Sequence, residues 1–242
     1  MSSNNQQGGL FFIGLFVAIG LALGGYFIGQ TMYNAKVALN TAEAKGLAER
    51  RVKADRANWN IGYNVKGKDK AEIPEMYEQA EQHQKIIVKI LKDNGFDDTE
   101  IEIGVLDYRY QEFRDDNNKL VDQLHSLYGT ITVETQKVEQ VSKARANVSR
   151  LIAQGIDLKN MAPVYSFTKL NEIKPDMLRE ATKNARIAAN EFAENAGVSV
   201  GGIRSAYQGS FFIRDAGEEY GDTRKIDKDV RVVTTITFYL TE

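Results

Sequence analysis

Hydrophobic residues are distributed along this chain in two unlike ways. From Leu10 to Gly29, LFFIGLFVAIGLALGGYFIG, they run without a single charge; beyond that they recur at intervals of two or of three to four. At 1.5 Å of rise per residue, about 20 apolar residues cross the roughly 30 Å hydrocarbon core of a bilayer. Lipid offers no hydrogen bonds, so such a run must be helical to satisfy its own backbone. The pattern predicts a short polar segment at 1–9, a transmembrane helix over 10–29, and a stalk or helix extension at 30–45, which has no Pro or Gly.

The polar remainder, 46–242, reads as one α+β domain. Trp59, Ile61, Tyr63 and Val65 alternate as in a half-buried strand. Ile73, Met76, Tyr77, Ala80, Ile87, Val88 and Leu91 follow at helical spacing, with Pro74 in the first turn and Asn94-Gly95 as the stop. Ile101, Ile103 and Val105 alternate, and so do Gly129, Ile131 and Val133. A helix over about 139–155 carries Val141, Ala144, Val148, Leu151 and Ile152 and stops near Gly155. Tyr165 and Phe167 begin another strand. Pro175 is expected to open a third helix with a stripe of Met177, Ala181, Ala185, Ala188 and Phe192, closed by Gly197. Strands are predicted at about 200–213 and 230–241.

This succession is strand-helix-strand-strand, a crossover helix, then strand-helix-strand-strand. Tyr63 and Tyr165, Gly95 and Gly197, and Ile101 and Ile203 are each 102 positions apart. The expectation is two repeats, at about 46–138 and 162–242, forming a two-layer domain with helices packed on a mostly antiparallel sheet.

A cleaved signal peptide is the competing reading of the apolar run. Its core is usually shorter and follows positive charge, whereas MSSNNQQGG has no Lys or Arg and the only late small-x-small site is Ala42-Glu43-Ala44. An uncleaved anchor is therefore expected. Gly14, Ala18, Ala22, Gly25 and Gly29 fall on one face of the helix and form a packing stripe that would let two such helices approach closely. Lys36 and Lys45 follow the run, so charge bias alone would place the C-terminal domain in the cytoplasm.

Composition narrows the chemistry. The net charge is −2, which gives no basic field for nucleic acid. There is no cysteine, so disulfides, thiol catalysis and thiolate metal sites are excluded. His83 and His125 lack metal-ligand spacing, and no nucleophile elbow or phosphate loop occurs. Asp215, Glu218, Glu219 and Asp222 in RDAGEEYGD do not match a calcium loop and read as a solvated hairpin tip. No catalytic, metal or cofactor residue is assigned; the expectation is a non-enzymatic protein. Tyr207, Phe211, Phe212 and Ile213, with Tyr108, Tyr110 and Phe113 as a second group, are either sheet core or a subunit interface.

Three stretches carry a family resemblance: GLAERRVKADRANWNIGYNV, the helix KPDMLREATKNARIAANEFAENAG and the closing strand VRVVTTITFYL. Taken in order, they make 46–242 resemble the SIMPL-domain family of bacterial envelope proteins. The resemblance implies a two-repeat α+β fold, an extracytoplasmic location, assembly into homo-oligomers and an association with envelope stress and surface maintenance. It implies no agreed active site. Set against the charge bias, it places the domain in the periplasm, and the long apolar run favours retention in the inner membrane. The partners expected are membrane lipid and further copies of the chain. The alternative is a periplasmic ligand-binding or sensory module using a groove between the repeats.

Overall fold

The computed structural model describes residues 4–37 and 40–241, with side chains over 13–35 and 40–241. Helix α1 (Asn4–Val37) contains a stretch, Ile13–Ala35, long and apolar enough to cross a membrane, and none of that stretch is buried by the rest of the chain. The helix starts before the predicted anchor and continues past it, so residues 4–9 are helical too. The side chains of Leu10 to Phe12 and of Lys36 lie outside the described residues. The extension ends earlier than predicted: strand β1 (Thr41–Lys53) already occupies Thr41 to Lys45.

The chain is α+β, with four α-helices and two antiparallel sheets among the described residues. The expectation of one sheet is corrected. One sheet has the order β1-β10-β8 with β9 beside β10; the other has β3-β5-β2-β6 with β4 beside β5 and β7 beside β2. By compactness the chain divides into two units. The first comprises 1–48, 176–210 and 232–242; the second comprises 49–175 and 211–231.

The second unit is built on β2 (Arg56–Gly67) and β5 (Leu120–Thr135), antiparallel with Trp59 opposite Val133 and Ile61 opposite Ile131. Odd-numbered side chains of both strands face one way and are buried: Trp59, Ile61, Tyr63, Val65, Leu127, Ile131 and Val133. Helix α2 (Ile73–Asp93) contributes Met76, Ala80, Ile87 and Leu91 to this core, and α3 (Val138–Ser149) contributes Val138, Val141, Ala144 and Val148. Asn94 caps α2 and Gly95 leaves it at φ +90°, as the spacing predicts. Gly129 leaves room for the Tyr63 ring, since a Cβ there would lie 2.0 Å from its Cζ. Along the rest of β5 pair β3 (Ile101–Ile103) and β4 (Asp107–Arg114). On the other side of β2 pair β6 (Asp157–Asn160) and β7 (Val164–Ser166).

In the first unit, β8 (Ser199–Gln208) pairs antiparallel with the later part of β10 (Asp227–Thr241), Ile236 opposite Ala206. Helix α4 (Leu170–Asn195) supplies the buried stripe Met177, Ala181, Ala185, Ala189 and Ala193. The predicted stripe drifts off this line: Phe192 is 65% exposed, and Ala193 takes the buried place. Steps of four advance about 40° each, so the buried line winds round the helix as the twisted sheet beneath it requires. Pro175 lies inside α4 rather than at its start, because the packing of a long helix outweighs one missing backbone bond. The strand predicted over 200–213 breaks after Gln208. Gly209 passes so close to the Val233 carbonyl that a Cβ would sit 2.5 Å from it. The chain then resumes as β9 (Phe212–Asp215), paired in the second unit with Lys228–Arg231 of β10.

Candidate functional site

The register that buries the odd positions of β2 turns Asn60, Gly62, Asn64 and Lys66 to the opposite face. There Asn64 lies between Tyr128 of β5 and Asp157 of β6, and Gly62 lies between Thr130 and Lys159. Gly62 adds no side chain, and the face is hollowed into a groove of about 560 Å³. Its walls include Arg109, Tyr128, Asp157, Lys159 and Met161.

Polar contacts fix most of these groups. Lys66 Nζ is 2.8 Å from Asp157 Oδ2, and Asn64 Nδ2 donates to the same oxygen at 3.5 Å. The hydrogen bond to the Asp157 carboxylate, backed by its charge, raises the Lys66 ammonium above its ordinary value. The Arg109 guanidinium lies 4.6 Å from the centre of the Tyr128 ring and bonds Asp107 at 3.1 Å. Asn60 Oδ1 accepts from Thr132 Oγ1 at 2.8 Å. One group is left over: Asn64 Oδ1 is buried and has no partner. A buried acceptor without a donor costs about 1–3 kcal/mol. With Lys66, Arg109 and Lys159 against Asp157, the walls carry an excess of positive charge. The groove can therefore hold a polar, anionic small molecule.

The two histidines stay apart. His125 is buried on β5; its Nδ1 meets Tyr108 Oη at 2.7 Å, its ring lies 4.9 Å from that of Tyr110, and its Nε2 has no partner. His83 sits on α2 with Nδ1 unpartnered, and burial pushes its imidazole below the ordinary value. Among the described residues, no group of three or more His, Asp or Glu side chains converges as a metal site would require.

The acidic loop after β9 is not wholly solvated, contrary to its composition. Asp215 and Lys228 are both fully buried, with Nζ 2.6 Å from Oδ1. Asp215 also accepts the backbone N–H of Arg224 and of Lys225, and Lys228 donates to the Asp222 carbonyl at 2.6 Å. Burial pushes the Asp215 carboxyl up. The bonds from Lys228 and the two amides outweigh that and hold it below the usual carboxylate value.

The other residues singled out from the sequence are dispersed. Gly14, Ala18, Ala22, Gly25 and Gly29 share α1, and a Cβ on any of the three glycines would meet nothing within 4 Å. Tyr207 is exposed on β8 and Phe212 on β9. Phe211 and Ile213 are half-buried, and Lys174 Nζ lies 5.6 Å from the Phe211 ring centre. The groove residues carried no motif. Their only sequence signal is the polar face of β2, Asn58, Asn60, Asn64 and Lys66, alternating with its apolar one.

Residues 43–237 match the SIMPL family, described as a protein of unknown function (DUF541). The chain belongs to the SIMPL family. No curated protein matches this SIMPL chain. Among solved structures it is similar to an uncharacterized conserved protein from Listeria innocua, at 15% identity over 76% of this chain and 90% of that one, with a TM-score of 0.22.

Proposed function

We propose that this SIMPL protein is a non-enzymatic, single-pass protein of the cell envelope. In this reading α1 is an uncleaved anchor in the inner membrane. The SIMPL domain stands in the periplasm and assembles with further copies of itself in a structural or envelope-stress role. The observation that carries the reading is the apolar stretch Ile13–Ala35, which nothing among the described residues covers and for which lipid is the fitting solvent. Its stripe of Gly14, Ala18, Ala22, Gly25 and Gly29 supports close approach of a second such helix.

The test is fractionation of cells carrying the full chain with a C-terminal tag. The expected result is intact protein in the membrane pellet after an alkaline wash, with the tag digested by protease added to spheroplasts. Release by the wash, loss of the first residues from the mature chain, or a protected tag would overturn the anchor or its orientation.

A second reading rests on the groove walled by Lys66, Arg109, Asp157 and Lys159. That groove would make the domain a ligand-binding module. It lies on one sheet face, not between the repeats as the sequence suggested. Thermal-shift measurement with glucuronate and with glucose distinguishes this reading: stabilisation by the acid alone supports it, and no shift with either argues against it.

A further inference from the structure

Strand β4, DYRYQEFR, is exposed at every position on both faces. It pairs with β5 along one edge, and among the described residues no strand pairs with its other edge. Exposed edges are templates for further strands, and folded proteins usually blunt them with Lys, Pro or inward-pointing charge. β4 has neither Lys nor Pro. Its charges are neutralised in pairs along the strand, Arg109 with Asp107 at 3.1 Å and Arg114 with Glu112 at 2.6 Å. The edge therefore carries no net charge to repel its like. Tyr108 and Tyr110, both nearly half exposed, stand over buried His125 on one face, and Arg109 covers Tyr128 on the other.

We propose that the free edge of β4 joins two copies of this chain, β4 pairing antiparallel with β4 about a two-fold axis. The proposal rests on the self-assembly reading above and names the surface that performs it. Opposite residues of an antiparallel ladder share a face of the sheet, so the two-fold axis must pass through a residue and not between two. Centred on Arg109 the strand would set arginine against arginine; centred on Glu112 it would set carboxylate against carboxylate. Centred on Tyr110, Tyr108 faces Glu112 and Arg109 faces Gln111. Centred on Gln111, Tyr110 faces Glu112, Arg109 faces Phe113 and Tyr108 faces Arg114. Both central registers pair hydrogen-bonding or cation–ring partners and oppose no like charges within β4. The strand is thus self-complementary about its middle and self-repelling when slipped by one residue beyond either register.

The chain has no cysteine, so a single introduced thiol reports on its own environment. Residues meeting at the axis have Cα atoms about 4.5–5.5 Å apart, within the span a disulfide accepts. Tyr110→Cys and Gln111→Cys are made separately in the full chain in detergent, with Asn117→Cys in the turn after β4 as the control. Mild oxidation is expected to give a disulfide-linked dimer at one of positions 110 and 111 and none at 117. Gln111→Lys faces either itself or Arg109, so it opposes like charges in both registers. It is expected to reduce the assembled mass seen by light scattering while the fluorescence of Trp59, the only tryptophan, stays unchanged. An assembly that survives Gln111→Lys, with no crosslink at 110 or 111 above the control, overturns the β4 edge and leaves self-assembly standing. A wild-type chain that is monomeric at all concentrations overturns both.

Discussion

Lys228 holds its ammonium 2.6 Å from the Asp215 carboxylate, and both side chains are fully withdrawn from solvent. The pair closes the excursion between β9 and β10, with the Asp222 carbonyl and the Arg224 and Lys225 amides completing its hydrogen bonds. Each charge is there because the other is: removing one partner of a buried pair leaves an uncompensated charge, at a cost of about 3–5 kcal/mol. Lys228→Met is expected to destabilise the second unit by that order. Asp215→Asn with Lys228→Met should cost less than the sum of the two single changes. Urea unfolding followed by Trp59, fully buried in the same unit, measures both.

The same carboxylate sets a pH dependence. Burial alone would raise Asp215, but Lys228 and the two amides hold it below its unfolded value. A depressed carboxyl contributes stability above the unfolded value near 4 and loses it as pH falls through the folded one. Glu100 adds to the same trend. Burial opposes, but the bonds from Lys137 at 2.8 Å and from Thr135 at 2.6 Å prevail and lower it. Stability of the second unit should therefore decline modestly as pH falls through about 6.5, where His83 protonates more readily in the unfolded chain, and fall further below about pH 4 as the carboxylates protonate. Asp215→Asn should flatten that fall. Trp59 fluorescence across an acid titration of the two chains shows whether it does.

Gly46 on β1 lies directly beneath α4. A Cβ there would fall 1.8 Å from the Ala181 carbonyl oxygen and 2.4 Å from the Ala185 nitrogen. Both are backbone atoms, which cannot turn aside as a side chain can. The small stripe of α4 and the missing side chain of Gly46 are two halves of one close approach, bridged by Asn184 Nδ2 donating to the Leu47 carbonyl at 2.7 Å. Gly46→Ala should force helix and strand apart and cost about 1–3 kcal/mol or more. Faster amide exchange over 199–208 and 234–241, with exchange over 57–67 unchanged, is the expected signature.

Asn64 offers a contrast. Its Oδ1 is buried without a donor, and its Nδ2 makes only a 3.5 Å bond to Asp157. Asn64→Leu removes an unsatisfied acceptor, so about 1 kcal/mol of added stability is expected in urea unfolding. A core-like asparagine that served only the fold would give the opposite sign. If the groove binds glucuronate, the same variant should lose the thermal shift while gaining stability.

The elements of this fold were largely legible because their signals are local. Asn94-Gly95 ends α2, Gly155 ends the 3-10 turn that continues α3, Gly197 follows the end of α4, and the alternation of Trp59 to Val65 separates the two faces of β2. The start of β1 is misassigned because Thr41 to Lys45 is small, charged and continuous with the helix before it; its strand character comes from lying beside β10. The acidic loop looked solvated because nothing near Asp215 announces that Lys228 will be buried against it.

The sequence by itself determined that an apolar helix precedes an α+β domain, which residues line each face of β2, and that 46–242 resembles a SIMPL domain. These follow from charge-free length and from periods of two and of three to four, which any segment carries within itself. The tertiary structure alone decided that the strands divide into two sheets. It alone brought Gly46 under Ala181, paired Asp215 with Lys228 out of water, and set Asn64 between Tyr128 and Asp157. Periodicity says which way a side chain points, but not which distant strand or helix will meet it. That choice is made by how the whole set of faces can be buried at once.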